Sequence, residues 1–490
     1  MKAELRIMRD HLTTKKRLII CLLIILSINT MLKVLELLEY MSNSKAFVYV
    51  FSLLNYKDNW WSLLLPFHIR DVFSRWSPTG LVISTLPDLL KTPFAPYITF
   101  FLFNYILIIV TFFTSWKLSH SFVFTITMTL CMAVGTQFNG LFGNYGIVIT
   151  YILITYIELN ILFIYLIVKE TKNNFILKSL YIFSLVLVAL CWETWLDYAV
   201  FLFLAFVVLF YVALKNNDKH LKEQTLFLSS GLLVIVFFYL LIKINFSSGI
   251  SEHMIHGKEG EVVISYLTDS LLYWPIAIED IVSNIVTFNF ISLSNYFPPF
   301  LLSSNSYYFF GEQVVKLQYG YHQEFSHLVF YHHVFLWYII AGMLFLAFLI
   351  YFFKYFKLVY VEHKLDENIL ILFILLLILT GSFTHNFIKY RPYLSVPLLT
   401  YKCIISILGV TYLLSFMCRK IYRKLNKKHG TLIIICIWCL ILYGGISRNA
   451  RLAHLGSIVM PGSDYQYIPD VLKHSPVENL KKSLENYNKK

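Results

Sequence analysis

The sequence predicts an all-α, polytopic integral membrane protein of about eleven transmembrane helices, and three observations carry that prediction. Hydrophobic residues make up 58% of the chain against 14% charged, and the mean hydropathy is +0.66. A soluble fold of 490 residues would need more charge than this to cover its surface. Apolar stretches near twenty residues recur along most of the chain, each long enough to cross about 30 Å of hydrocarbon as a helix. Lys and Arg gather at the ends of these stretches rather than along them. The period-two alternation of an outer-membrane barrel is absent from the sequence.

The expected spans are 18–36, 97–116, 121–136, 146–168, 179–192, 198–214, 226–245, 329–353, 368–384, 395–417 and 431–446. The first, LIICLLIILSINTMLKVLE, is too long for a secretory signal and lacks a small-residue cleavage site, so it reads as a retained helix. Between the spans, segments 2–17, 169–178, 215–222, 354–364 and 419–428 hold roughly half of the 41 Lys and Arg residues, although the opposite set is far longer. The positive-inside rule therefore places the N-terminus in the cytoplasm and the C-terminus outside, as an odd number of spans requires. The chain divides into a membrane module 1–245, whose first outside loop is 37–96, a long outside loop 246–328, membrane helices 329–446 and a polar outside tail 447–490.

The net charge of +13 does not point to nucleic acid, because the cations mark helix ends. All seven cysteines lie in or beside apolar segments, which argues against a disulfide framework. Cys436 and Cys439 spell C-x-x-C inside an expected helix, where thiols serve as small apolar residues. Cytoplasmic segments are short and contain neither G-x-G-x-x-G nor a P-loop, so any chemistry belongs outside or at the membrane face.

The first outside loop is crowded with Trp, Phe and Leu at helical spacing, as suits helices lying in the interface. Asp58 precedes Trp60 and Trp61, and Asp71 follows Arg70. A carboxylate at the water–lipid boundary is partly desolvated, which raises its basicity and suits a general base. Alternatively, Asp71 pairs with Arg70 or Arg75 and Asp58 caps an interfacial helix. In CWETWLDY, Glu193 and Asp197 share a helix face. Together they could hold a divalent cation or an acceptor sugar's hydroxyls, with Trp192 and Trp195 stacking on the ring; the plainer alternative is a polar hairpin tip with interfacial tryptophans.

The stretch THNFIKYRPYLSVP, 384–397, carries Lys389 and Arg391 on the expected outer side, with His385 before them and Lys402 just beyond. Cations there run against the orientation rule, and they call for an anionic partner at that depth. Arg can hold a phosphate bidentately, while Lys acts as a point charge. Ordinary anionic lipid headgroups are the plainer partner. The cluster YHQEFSHLVFYHHVFLW, with His322, Glu324, His327, His332 and His333, fits no metal spacing and reads as interfacial.

A short cytoplasmic N-terminus, one helix and a large outside loop with interfacial helices resemble the layout of the GT-C glycosyltransferases. These include protein mannosyltransferases and lipid A aminoarabinose transferases. YKDNWW is similar to that family's acidic first-loop stretch, although Asn59 stands where a second carboxylate is usual. FSRWSPTGLVISTL is similar to its Arg-x-x-Pro-like stretch, and KYRPYLSVP resembles a permuted form of its late basic loop. The resemblance implies a cell-membrane, multi-pass enzyme that moves a sugar from a polyprenyl-phosphate donor to a glycan, lipid or protein acceptor on the extracytoplasmic side. Asp58 or Asp71 would be the base, and Arg391, Lys389, His385 and Lys402 would hold the donor phosphate. Glu193 and Asp197 would be accessory to the acceptor or to a divalent metal, and no other cofactor is implied.

Two other classes remain. A surface-polysaccharide polymerase or flippase-like protein would carry Arg-rich outside loops, yet 246–328 holds only Lys258 and Lys316. A secondary transporter would carry ionisable residues at mid-bilayer, and apart from Lys402 the spans carry few.

Overall fold

The computed structural model describes residues 16–34, 79, 95–135, 145–169, 174–191, 195–246, 365–381 and 404–459. No strand occurs among them. Their helices are α1 (Lys16–Val34), α2 (Ala95–Ser119), α3 (Phe122–Val134), α4 (Tyr145–Lys169) and α5 (Phe175–Ala189). They continue with α6 (Trp195–Lys215), α7 (Lys219–Phe246), α8 (Leu365–Thr380), α9 (Ile404–Lys424) and α10 (Lys427–Val459). Seven of these, all but α3, α5 and α8, are long and apolar enough to cross a membrane. The expected span 329–353 lies outside the described residues.

Local sequence explains where several helices start. Ser121, Asn174 and Asp218 each accept a hydrogen bond from a first-turn amide, from Phe124, Leu177 and Leu221 respectively. The α6–α7 turn passes through Asn217 at φ 52°, a left-handed conformation that asparagine tolerates better than most residues. Helix α9 covers Ile404–Lys424; the first part of its expected span, 395–403, lies outside the described residues. Helix α10 runs on to Val459, so the segment expected to open the polar tail at 447 begins as helix. No proline interrupts ISRNARLAHLGSIV, and 33 helical residues span about 50 Å, more than the hydrocarbon thickness.

Two of the three short helices, α3 and α8, are central. Every residue of α3 from Val123 to Val134 is buried, and so is α8 from Ile369 to Ile378. A helix apolar on all sides needs neighbours on all sides. Helix α8 packs on α9, α6 and α2, while α3 packs on α2, α9 and α10. Peripheral α1, α7 and α10 instead expose rows such as Ile19, Ile20, Leu23 and Ile24, or Leu233, Val234, Phe237 and Phe238. Faces of that size are tolerated against lipid and not against water. Hydroxyls within the bundle are satisfied by the carbonyl one turn back, as at Thr127, Thr129, Thr155, Thr225, Thr411 and Ser415.

Contacts fix which helix ends lie together. Phe201 in the first half of α6 meets Phe373 midway along α8, and Trp195 at the start of α6 meets Tyr239 near the end of α7. On the other side, Val123 at the start of α3 clusters with Cys418 near the end of α9 and Ile434 near the start of α10. That second end also carries the last-turn cations Lys117, Lys169, Lys215, Arg423 and Lys424.

Candidate functional site

The opposite end of the bundle, poor in last-turn cations, is where the expected chemistry must be assembled. Helix α5 stops at Ala189, which leaves carbonyls without helical partners. Thr79 from the first loop supplies donors to them. Its amide donates to the Leu190 carbonyl at 3.2 Å and its hydroxyl to the Leu187 carbonyl at 3.0 Å. Thr79 belongs to the RWSPTG stretch, so that stretch is tied to the turn preceding WETWLDY. Asp197 sits in the first turn of α6, where the helix dipole favours a carboxylate, and it is fully buried. Trp195 is fully buried too, its ring meeting that of Tyr239 edge-on at a centroid distance of 4.9 Å. It therefore braces α6 against α7 and presents no face for stacking on a sugar. Trp195 is thus not an interfacial ring, while Trp192 and the rest of the hairpin tip lie outside the described residues.

Glu193, Asp58 and Asp71 lie outside the described residues, as do His385, Lys389, Arg391 and Lys402 and the histidine-rich segment 322–333. What the structure does fix is the anchorage of the late loop. Gly381 after α8 abuts Ser406 at the start of α9, so the described residues flanking 382–403 are held in direct contact. A Cβ on Gly381 would stand 2.7 Å from the Ser406 Cα. The ends from which 35–94, 192–194 and 382–403 depart all lie at this end of the bundle.

A second polar site went unread in the sequence. Glu158 lies mid-way along α4, fully buried, and the Tyr412 hydroxyl of α9 donates to its Oε2 at 2.8 Å. Its Oε1 has no hydrogen-bond partner among the described residues. Half a turn further on, Asn160 donates to the Ser184 hydroxyl at 2.8 Å and to the Tyr181 carbonyl at 3.3 Å, both on α5. Its Oδ1 accepts from the Tyr198 hydroxyl of α6 at 2.8 Å. The Tyr181 hydroxyl then donates to the Leu228 carbonyl of α7 at 2.9 Å. Four helices thus converge on α4 through one polar network, in which Tyr198 lies close enough to Glu158 to interact with it electrostatically.

Towards the loop-bearing end, fully buried Lys33 of α1 donates to the Tyr151 hydroxyl at 3.4 Å. Beside it, Thr30 shares a 2.6 Å hydrogen bond with Tyr105. Lys33 and Glu158 are thus buried ionisable groups within the spans, in addition to the Lys402 noted in the sequence. The signal was present in TYIELNI, where a lone carboxylate interrupts an apolar run and so needs a reason to be there. Among the described residues, no cluster of His, Cys, Asp and Glu has the makings of a metal site. Comparison with known proteins gives no match to this chain, either among family models or among curated sequences.

Proposed function

We propose that the chain is a GT-C-type membrane glycosyltransferase with eleven spans, its N-terminus in the cytoplasm. Its substrates would be a polyprenyl-phosphate sugar and an acceptor hydroxyl on the extracytoplasmic side. The observation that carries the reading is the docking of Thr79 on the end of α5, which ties the RWSPTG stretch to the turn before Asp197. This contact supports the reading because Thr79 of the first loop and Asp197 of the hairpin then belong to the same end of the bundle.

In this mechanism Asp58 or Asp71 takes the proton of the acceptor hydroxyl as that oxygen attacks the anomeric carbon. The carbon–oxygen bond to phosphate breaks, and the lipid phosphate leaves with the electron pair. Arg391 and Lys389, helped by His385 and Lys402, stabilise the charge that builds on the departing phosphate. Inversion at the anomeric carbon follows from the single displacement. Glu193 and Asp197 orient the acceptor or hold a divalent cation.

The test is transfer by the full chain in proteoliposomes supplied with polyprenyl-phosphate sugars and a panel of acceptors. Asp58→Asn or Asp71→Asn abolishes transfer without altering insertion, and Arg391→Ala raises the donor KM or lowers kcat. Full activity in both aspartate variants removes the base assignment, and unchanged donor kinetics in Arg391→Ala removes the phosphate clamp.

One observation favours a second reading, ion-coupled transport. The bundle encloses Glu158 at mid-span, where a carboxylate with no cationic partner among the described residues is costly.

A further inference from the structure

Glycosyl transfer at the bundle end makes no use of Glu158, which lies well inside α4 and is shut off from solvent by packed helices. Its surroundings are unusual for a carboxylate. Among the described residues it has a single hydrogen-bond donor, the neutral Tyr412 hydroxyl, and no ion-pair partner. The titratable groups that face it are phenols: Tyr412 from α9, Tyr198 from α6 and, behind the latter, Tyr181 from α5. Neither α2 nor α7, which also pack on α4, contributes a charged partner to it. An ionised carboxylate in hydrocarbon keeps several lone pairs that need donors or a cation, and one phenol does not satisfy them.

The adjoining groups are oxygen-rich. The Tyr412 hydroxyl binds Glu158 and the Tyr198 hydroxyl lies near it, while Asn160, on a different face of α4, joins Tyr198 to Ser184 of α5. These side chains are themselves buried, with Ser184 the most exposed at 3%. Oxygen ligands of this kind, with one negative charge among them, suit a small monovalent cation and supply too little charge for a divalent ion.

We propose that Glu158 is an intramembrane binding site for a small monovalent cation, a proton or Na⁺, held on its Oε1 and oriented by the Tyr412 hydroxyl. The site is independent of the sugar-transfer reading; ion-coupled transport requires it and transfer does not. Binding needs no covalent change beyond association of the cation with the carboxylate. Helix α4 then couples occupancy to α9 through Tyr412 and to α5 and α6 through Asn160, two residues along the same helix.

Infrared difference spectroscopy of the full chain in proteoliposomes tests this, comparing the parent with Glu158→Gln in Na⁺ buffer and in Na⁺-free choline buffer. A proton occupant appears as the carbonyl stretch of an uncharged carboxyl, present at neutral pH in both buffers and lost in Glu158→Gln. A sodium occupant appears as carboxylate bands that shift between the two buffers and vanish in the variant. Carboxylate bands of Glu158 that ignore Na⁺ overturn the proposal, because the carboxylate is then ionised and holds neither cation. Should Glu158→Gln fail to accumulate, Tyr412→Phe reads the same group: it retains the carboxyl and shifts its band by removing the donor. No shift in Tyr412→Phe also overturns the assignment. Failure of this test leaves sugar transfer untouched, since the aspartate and Arg391 variants report on that separately.

Discussion

Substituting Gly409 by Ala is the sharpest test of how the bundle holds its late loop. Helix α9 crosses α8 with Gly409 against the backbone of Leu377 and Ile378. A Cβ at this position would stand 2.9 Å from the Ile378 nitrogen and 3.0 Å from both the Leu377 carbonyl carbon and its Cβ. These neighbours are backbone, or attached directly to it, in a helix buried on every side, so they cannot swing away as a side-chain tip could. Close approach of this kind is what small residues allow at membrane helix crossings. In an isolated helix the change would be stabilising, since Ala is favoured over Gly by about 1 kcal/mol. Forcing α8 and α9 apart costs about 1–3 kcal/mol, as overpacking in cores does. The expected net effect is a loss of up to about 2 kcal/mol once the propensity gain is subtracted from the overpacking cost. Thermal unfolding in detergent, followed with a thiol-reactive fluorophore, reads it directly. Buried Cys131, Cys191 and Cys418 become reactive only on unfolding. The variant should unfold at lower temperature than the parent, and transfer should weaken because residues 382–403 are anchored by these two helices. A midpoint equal to or above that of the parent would mean that the α8–α9 crossing is not as close as described.

Two further outcomes test the polar contacts. Thr79→Val keeps the shape of the side chain but loses the hydroxyl donation to Leu187, which should lower stability by about 1 kcal/mol; an unchanged unfolding midpoint would mean the first loop is not docked on α5. Asn160→Leu removes the hub joining α4 to α5 and α6 and leaves the Tyr198 hydroxyl without its acceptor, at a cost of about 1–3 kcal/mol measured in the same assay. Asn160→Asp retains the acceptor for Tyr198 and should be the milder of the two if that hydrogen bond matters.

The sequence determined the class of this protein and the positions of most of its described helices. Hydropathy is a local property: each apolar run must satisfy its own backbone within the bilayer, so α1, α4 and α6 were legible from composition and flanking cations alone. Boundaries were less legible where one feature outweighed the hydropathy, as with the polar but unbroken continuation of α10. Pairings across the chain were not legible at all. Tyr412 is one tyrosine among 34, and only packing of α9 on α4 marks it as the donor to Glu158, 254 residues away. Trp195 has the sequence context of an interfacial ring, and only Tyr239 on α7 turns it into a buried brace. Thr79 likewise reads as an ordinary loop residue until the end of α5 presents carbonyls in need of donors. Membrane insertion sums contributions along a segment, whereas a site depends on which side chains meet between segments, and that is decided only when the helices pack.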